Sequence, residues 1–504
     1  MTASTRPASR EAGFVFSGAL LLGAVLVFAP LIKGGNRPIP LLVLELAALL
    51  LLVLAALRPA FAGHLPRAML AALAGLAALP LLQLLPLPPS LWSALPGRDF
   101  YAAALAAVGG EAGFRGMSLI PSATQAAGLA LLPPLAVFLA ATGLPDEKLK
   151  MLAHVLIAMA VAQALIGLAQ YGTGWSAVLW GGEKVERGIG TYVNPDHLAG
   201  LLEMILPLAL ALLAMNVHPG GAGVPSRRGR KLRQRLAALF SQEFRMNRTA
   251  LLASAGIAIL LGLVFTRSRT GVSLGMLGIL LCALVFARRI GGERSTRLVT
   301  VLSVIGFALA LEIGLAPVLQ RFTDQTLLED SRWPIYSATL DGIGEFFPLG
   351  SGIGTFPEVF RRFQPGNVPL FVNHAHNDYL EWLFEGGLFA AVLVAVFLVL
   401  YALRWPQLWT QERWSHLRYL QVGAGIGLLL MGLHGLVDFN LHIPANAITF
   451  AFLAGLFFHR EHEAPPAHRP KKQQALPERK PDQAPAAAAV PAPQPENGRN
   501  PFAD

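Results

Sequence analysis

One cysteine, Cys282, serves the whole 504-residue chain, and it lies inside an apolar run. A disulfide framework is therefore excluded, and the thiol reads as an inert packing residue. No cysteine ligand set and no HExxH-type pair is present, so the common zinc motifs are missing. The glycine-rich turn PLGSGIGTF, residues 348–356, lacks the Lys and Ser/Thr of a phosphate-cradling loop, which disfavours a nucleotide enzyme. Charge is scarce as well, at 14% of residues against 54% hydrophobic, with a mean hydropathy of +0.53. That balance excludes an ordinary soluble domain.

What the chain does have is apolar blocks of about 18 to 22 residues, the length needed to cross a hydrocarbon core of roughly 30 Å. They predict an all-α, polytopic integral membrane protein of about twelve transmembrane helices. The expected spans lie near 13–32, 39–57, 68–86, 123–143, 149–170, 197–216, 249–266, 271–288, 298–316, 383–402, 419–437 and 444–459. The first run is full length and no small-residue cleavage pattern follows it, so it reads as a retained helix. If the N-terminus is cytoplasmic, 28 of the 40 Lys and Arg fall on inner segments, which sets both termini inside and the opposite face in the periplasm of a bacterial inner membrane. The formal charge of +10 is thus explained by topology, including the basic stretch 227–235, and no nucleic-acid partner is expected. Residues 1–12 form a short cytoplasmic lead, 13–461 the transmembrane unit with a large outer loop at about 317–382 between the ninth and tenth helices, and 462–504 a Pro- and Ala-rich disordered tail.

The unusual polar residues gather on the outer side. Residues 186–197 read ERGIGTYVNPDH, the seventh and eighth spans meet at TRSRTG (266–271), the long loop ends in NHAHNDYLE (373–381), and the last two spans meet at HGLVDFNLHIP (434–444). The 266–271 turn is so short that Arg267 and Arg269 must sit at the membrane surface, either snorkelling or binding a phosphate or diphosphate headgroup through the guanidinium fork. Arg187 is a second such candidate, followed by Gly188 and Gly190, whose backbone can approach a ligand closely, then by Asn194 and His197. Glu203 is an intramembrane acid, either paired with a neighbouring helix or functional. His374 and His376 share a face of an extended segment but diverge by about 200° on a helix. An imidazole of ordinary pKa, about 6.5, suits removal of a proton from an attacking hydroxyl. Asp378 and Glu381 would orient a histidine or bind sugar hydroxyls. His434, Asp438 and His442 could look like a metal site, as could the His374-x-His376 pair, yet capping and hairpin packing explain the hairpin set as well.

Together RGIGTYVNPDHLAG, SRTG, SRWPIYSATLDGIGEFFPLGSGIGTF, HAHNDYLEWLFEGG and HGLVDFNLHIPANA resemble the bacterial O-antigen ligase and polymerase superfamily, with the ligase the closer likeness. His376, Asn377 and Gly387 match its His-Asn-x9-Gly motif, while Ala390 stands where the pattern usually has Gly, Thr or Tyr. The resemblance implies a GT-C-like fold and an inverting transfer, without metal or other cofactor, of a glycan from undecaprenyl diphosphate to a lipid A-core or other glycan acceptor. By the same likeness His376 is the base with His374 beside it, and Arg187 and Arg269 bind the diphosphate with Arg267 as a secondary candidate. Asn194, His197, Asn377, Asp378 and Glu381 would support them. A polymerase that extends the lipid-linked glycan is the main alternative. A transporter of lipid-linked oligosaccharide is a further one.

Overall fold

The structure is a computed structural model that describes residues 8–57, 65–110, 113–174, 184–217, 232–290, 332–410 and 414–460. The expected helix over 298–316, residues 227–231 of the basic stretch, the first part of the long outer loop and the tail lie outside the described residues. In chain order the helices are α1 (Ala8–Leu31), α2 (Pro38–Ala56), α3 (Arg67–Gln83), α4 (Pro89–Ser93), α5 (Asp99–Ala107), α6 (Pro121–Ala130), α7 (Leu132–Gly143), α8 (Asp146–Thr173), α9 (Pro195–Val217), α10 (Leu232–Phe265), α11 (Arg269–Ile290), α12 (Arg332–Phe346), α13 (Phe356–Val359), α14 (Asp378–Trp409), α15 (His416–His434) and α16 (Pro444–Phe458). The sheet among the described residues is one antiparallel pair, β1 (Pro86–Leu87) with β2 (Arg115–Gly116). This is an all-α membrane protein.

Among the described residues seven segments are long and apolar enough to span a bilayer, and three shorter apolar helices accompany them. The span over 121–143 runs as two helices, α6 and α7, because Pro133 near the start of α7 has no N–H to continue the ladder. At the centre stands α9, whose apolar window is 83% buried, whereas that of α14 is 17% buried and faces outward. Around α9 pack α8, α10, α11 and α15, while α16 lies against α7 and α15, and α14 against α3 and α12. The α9–α15 seam is close because α15 presents glycines. A Cβ at Gly423 would stand 2.8 Å from the Pro207 carbonyl oxygen, so only a small residue lets the two backbones meet.

The described part of the segment before α14 is not a bare loop. It contains α12 and α13, and with Val368, Val372 and Phe384 these helices enclose a second apolar cluster of Ile335, Phe346, Phe356 and Phe360. The segment with α4 and α5 closes on it from the side. There Arg98, 1% exposed, donates to the carbonyls of Pro96 and Met117 and lies over the Phe346 ring. This cap holds the N-terminal end of α14 in place.

Candidate functional site

The start of α14 is fixed by Asn377. Its Oδ1 accepts from the Tyr379 and Leu380 N–H groups, both at 3.0 Å, and its Nδ2 donates to the Leu436 carbonyl at 2.8 Å. Capping α14 and tying it to the last hairpin are thus one act. The preceding residue, His376, is held at φ +52°, a left-handed conformation unusual for a non-glycine residue. Tyr336 Oη donates to the His376 carbonyl at 2.7 Å, and the Asp378 N–H donates to the Gly435 carbonyl at 2.8 Å.

This clamp turns His376 toward the last hairpin. Its Nδ1 is buried and stands 3.4 Å from Asp438 Oδ1, while the side chain as a whole is 34% exposed, so the exposure falls on other ring atoms. Asp438 is 4% exposed. Burial pushes its carboxyl up, but His376, His197 and His434 overrule that and hold it down at about 2. The Phe439 ring touches three imidazoles, stacking on His374 at 4.1 Å and meeting His376 and His197 edge-on at 5.1 and 4.8 Å.

A second network lies beside the first. His374 Nδ1 is 2.8 Å from Glu381 Oε1, which also faces His442 Nε2 at 3.3 Å, and Glu381 Oε2 accepts from the Ala375 N–H. The other His442 nitrogen, Nδ1, is 2.8 Å from Asp378 Oδ1. Burial disfavours the charged form of His442, yet Glu381, Asp378 and Glu385 raise its pKa to about 10. His374, Glu381 and His442 present ligand atoms within 4.8 Å of one another and are the group here that could hold a metal. At 2.8 Å, however, the His374–Glu381 pair is closer than two ligands on one tetrahedral zinc, which stand roughly 3.3 Å apart with bonds of about 2.0–2.1 Å. The spacing is that of hydrogen-bonded side chains.

Deeper in the bundle His434 Nδ1 meets Glu203 Oε1 at 2.9 Å, both buried, joining α15 to α9. His434, Asp438 and His442, which the sequence suggests are packing residues, are therefore interleaved with His376, Asp378 and Glu381.

The arginines come from the segment before α9 and from the α10–α11 turn. Arg187, Arg267 and Arg269 are all exposed. The Gly188 N–H donates to the Phe265 carbonyl at 2.9 Å, which brings the Arg187 segment to the α10–α11 turn that carries the other two. Arg267 has φ +54°, and its guanidinium donates to Tyr171 Oη at 3.1 Å. Gly188 and Gly190 let the ribbon lie closely against α8. A Cβ at Gly188 would sit 2.8 Å from the Gly167 carbonyl oxygen, and Gln170 Nε2 donates to the Gly190 carbonyl at 2.7 Å. Gln163 holds Thr191 in the same way. Neither glutamine carried a sequence signal beyond being a polar residue in an apolar helix.

From there the ribbon runs through Asn194, whose Oδ1 accepts from the Asp196 N–H at the start of α9, to buried His197 against Phe439. One end of the bundle thus carries both the arginines and the histidine–carboxylate networks, bridged by residues 187–197. Below it opens an apolar groove of about 580 Å³ between α3, α14 and α15, with Tyr379, Trp382 and Leu436 among its walls.

Residues 253–395 match the family model described as O-antigen ligase. Over that segment the chain is similar to the O-antigen ligase family. No curated protein matches it. The matched segment contains Arg267, Arg269, His374, His376, Asn377, Asp378 and Glu381, and ends before Asp438 and His442. The partners of His376 and Glu381 from the last hairpin lie beyond the matched segment and are supplied by this chain's own three-dimensional structure.

Proposed function

We propose that the protein is an inverting glycosyltransferase of the O-antigen ligase type. It moves a glycan from undecaprenyl diphosphate to a hydroxyl of lipid A-core at the periplasmic face of the bacterial inner membrane, with both termini cytoplasmic. The observation that carries this reading is the His376–Asp438 pair, with a partly exposed imidazole, on the same bundle end as Arg187, Arg267 and Arg269. On this reading the imidazole carries its proton on Nδ1, toward buried Asp438, which leaves Nε2 to accept a proton from the acceptor hydroxyl. That oxygen then bonds to the anomeric carbon from the face opposite the diphosphate. As the anomeric C–O bond to phosphate breaks, the electron pair leaves with the diphosphate, where the arginines stabilise the added charge.

Three guanidinium groups meet the electrostatic need that a divalent cation meets at other phosphate sites, so the transfer is proposed to be metal-independent. The His374–Glu381–His442–Asp378 network holds the His376 segment rigid. The apolar groove is assigned to a hydrocarbon chain of one of the two lipid-borne substrates. The deciding experiment deletes the gene and separates lipopolysaccharide from undecaprenyl-linked glycan by gel and mass spectrometry. Long polymers stranded on the carrier beside bare lipid A-core are expected. Single repeats attached to the core would instead make the protein a polymerase, and unchanged lipopolysaccharide would overturn the reading.

A further inference from the structure

At the opposite end of the bundle from the histidines lies a second pocket, of about 340 Å³, between α8, α9, α10 and α15. His416 in its wall is the first residue of α15, and His434 in the site is the last, so at 1.5 Å per residue the two lie roughly 27 Å apart, a bilayer core's thickness. The floor is apolar, with Leu212, Met215 and Leu420. The rim is ionic. From α8 come Glu147, Lys150 and His154, from α10 Arg248 and from α15 His416, while α9 contributes no ionisable group.

The rim's hydrogen bonds leave a surplus of positive charge. His154 Nδ1 is 2.7 Å from the Lys150 carbonyl, an acceptor, so Nδ1 carries a proton there. Arg248 approaches His154 Nε2 at 3.3 Å, and as a guanidinium can only donate, that nitrogen is the acceptor of a neutral ring. Arg248 is thus oriented without being neutralised. Lys150 pairs with Glu147 at 2.8 Å, but this carboxylate is 84% exposed and screened by solvent. Cations above an apolar floor at a membrane boundary match an amphipath with a phosphate next to its hydrocarbon chains.

We propose that this pocket binds the headgroup of an anionic glycerophospholipid, with the phosphodiester against Arg248 and Lys150 and the upper acyl chain along Leu212 and Leu420. The lipid would brace α8, α10 and α15 in the leaflet opposite the glycan site. Purified full-length protein, stripped of lipid in detergent, is titrated with phosphatidylglycerol, with phosphatidylcholine of the same chains and with inorganic phosphate. Binding is followed by native mass spectrometry and thermal unfolding. Phosphatidylglycerol is expected to bind at least tenfold more tightly than phosphatidylcholine and to raise the unfolding midpoint. The Lys150→Gln, Arg248→Gln double variant should remove that preference and leave glycan transfer in detergent unchanged. Equal binding of both lipids, a preference that survives in the variant, or an equal midpoint shift from phosphate alone overturns the proposal. If the variant fails to accumulate, a photoactivatable phosphatidylglycerol is cross-linked to the unaltered protein. Adducts on residues 147–154 or 248 sustain the assignment, and adducts confined elsewhere overturn it.

Discussion

His376 Nδ1 faces Asp438 Oδ1 across 3.4 Å, a contact between the start of α14 and the turn after α15. The acid is almost fully buried and the imidazole is not, so the pair has one anchored member and one member open to a substrate. On the proposed function, that asymmetry assigns Asp438 a positioning role in which its charge matters more than its volume.

Asp438→Asn should therefore fold and reach the membrane at near-normal abundance while glycan transfer falls about 100-fold or more, as when the acid behind a catalytic imidazole is neutralised. Transfer rate and membrane abundance measured on the same preparation check this. Normal transfer at normal abundance would return Asp438 to a packing role.

The pH dependence of stability should carry the mark of His442. Its folded pKa, about 10, lies above the ordinary 6.5, so its contribution is full below pH 6.5 and is lost as pH rises toward 10. Asp438, held at about 2 against 3.8, works in the opposite sense, contributing above pH 3.8 and losing that contribution as pH falls toward 2. The unfolding midpoint in detergent should be highest between about pH 4 and 6.5. His442→Gln should flatten the alkaline decline, and an unchanged decline would show that other groups cause it.

Gly387 is expected to tolerate no side chain. Its φ of +56° and ψ of −146° lie in a region that disfavours L-residues, and an added Cβ would run into the Pro348 carbonyl oxygen. The adjacent Leu388 N–H donates to that same carbonyl at 2.8 Å, so α14 cannot move aside without losing the bond. Gly387→Ala should cut membrane abundance severalfold, while Gly344→Ala, where an added Cβ meets nothing within 4 Å, provides the comparison.

Breaking the Glu203–His434 pair from one side should be worse than removing it whole. Glu203→Leu alone leaves a buried imidazole without its acid, and the cost of an orphaned buried ionic group is about 3–5 kcal/mol. The double change Glu203→Leu, His434→Leu should recover part of the lost midpoint in thermal unfolding. Additive losses would show that the two side chains contribute independently.

Much of the architecture was legible because it is local. An apolar run long enough to cross a bilayer must close its backbone hydrogen bonds within itself, so the runs near 39–57, 149–170, 197–216 and 271–288 reappear as α2, α8, α9 and α11. The short helices α4, α5 and α12 were missed since they lie in outer segments with no span-length pattern. In the site, His376, Asn377 and Gly387 form a motif on one contiguous stretch, and the roles of Asn377 as cap and Gly387 as a close backbone contact explain its spacing. Asp438 and His442 looked like hairpin packing because nothing in their own neighbourhood refers to residues 376–381.

The sequence by itself determined that this is a multi-pass α-helical membrane protein, and it singled out Arg187, Arg267, Arg269 and the His374–Glu381 stretch as its unusual polar residues. Length and hydropathy act along the chain and need no knowledge of contacts. Only the tertiary structure decided which histidine meets which acid, that Gln163 and Gln170 hold the glycine ribbon, and that Phe439 gathers His197, His374 and His376 around one ring. These are pairings between distant residues, set by how α9, α14 and α15 pack, and packing is a property of the whole bundle rather than of any segment.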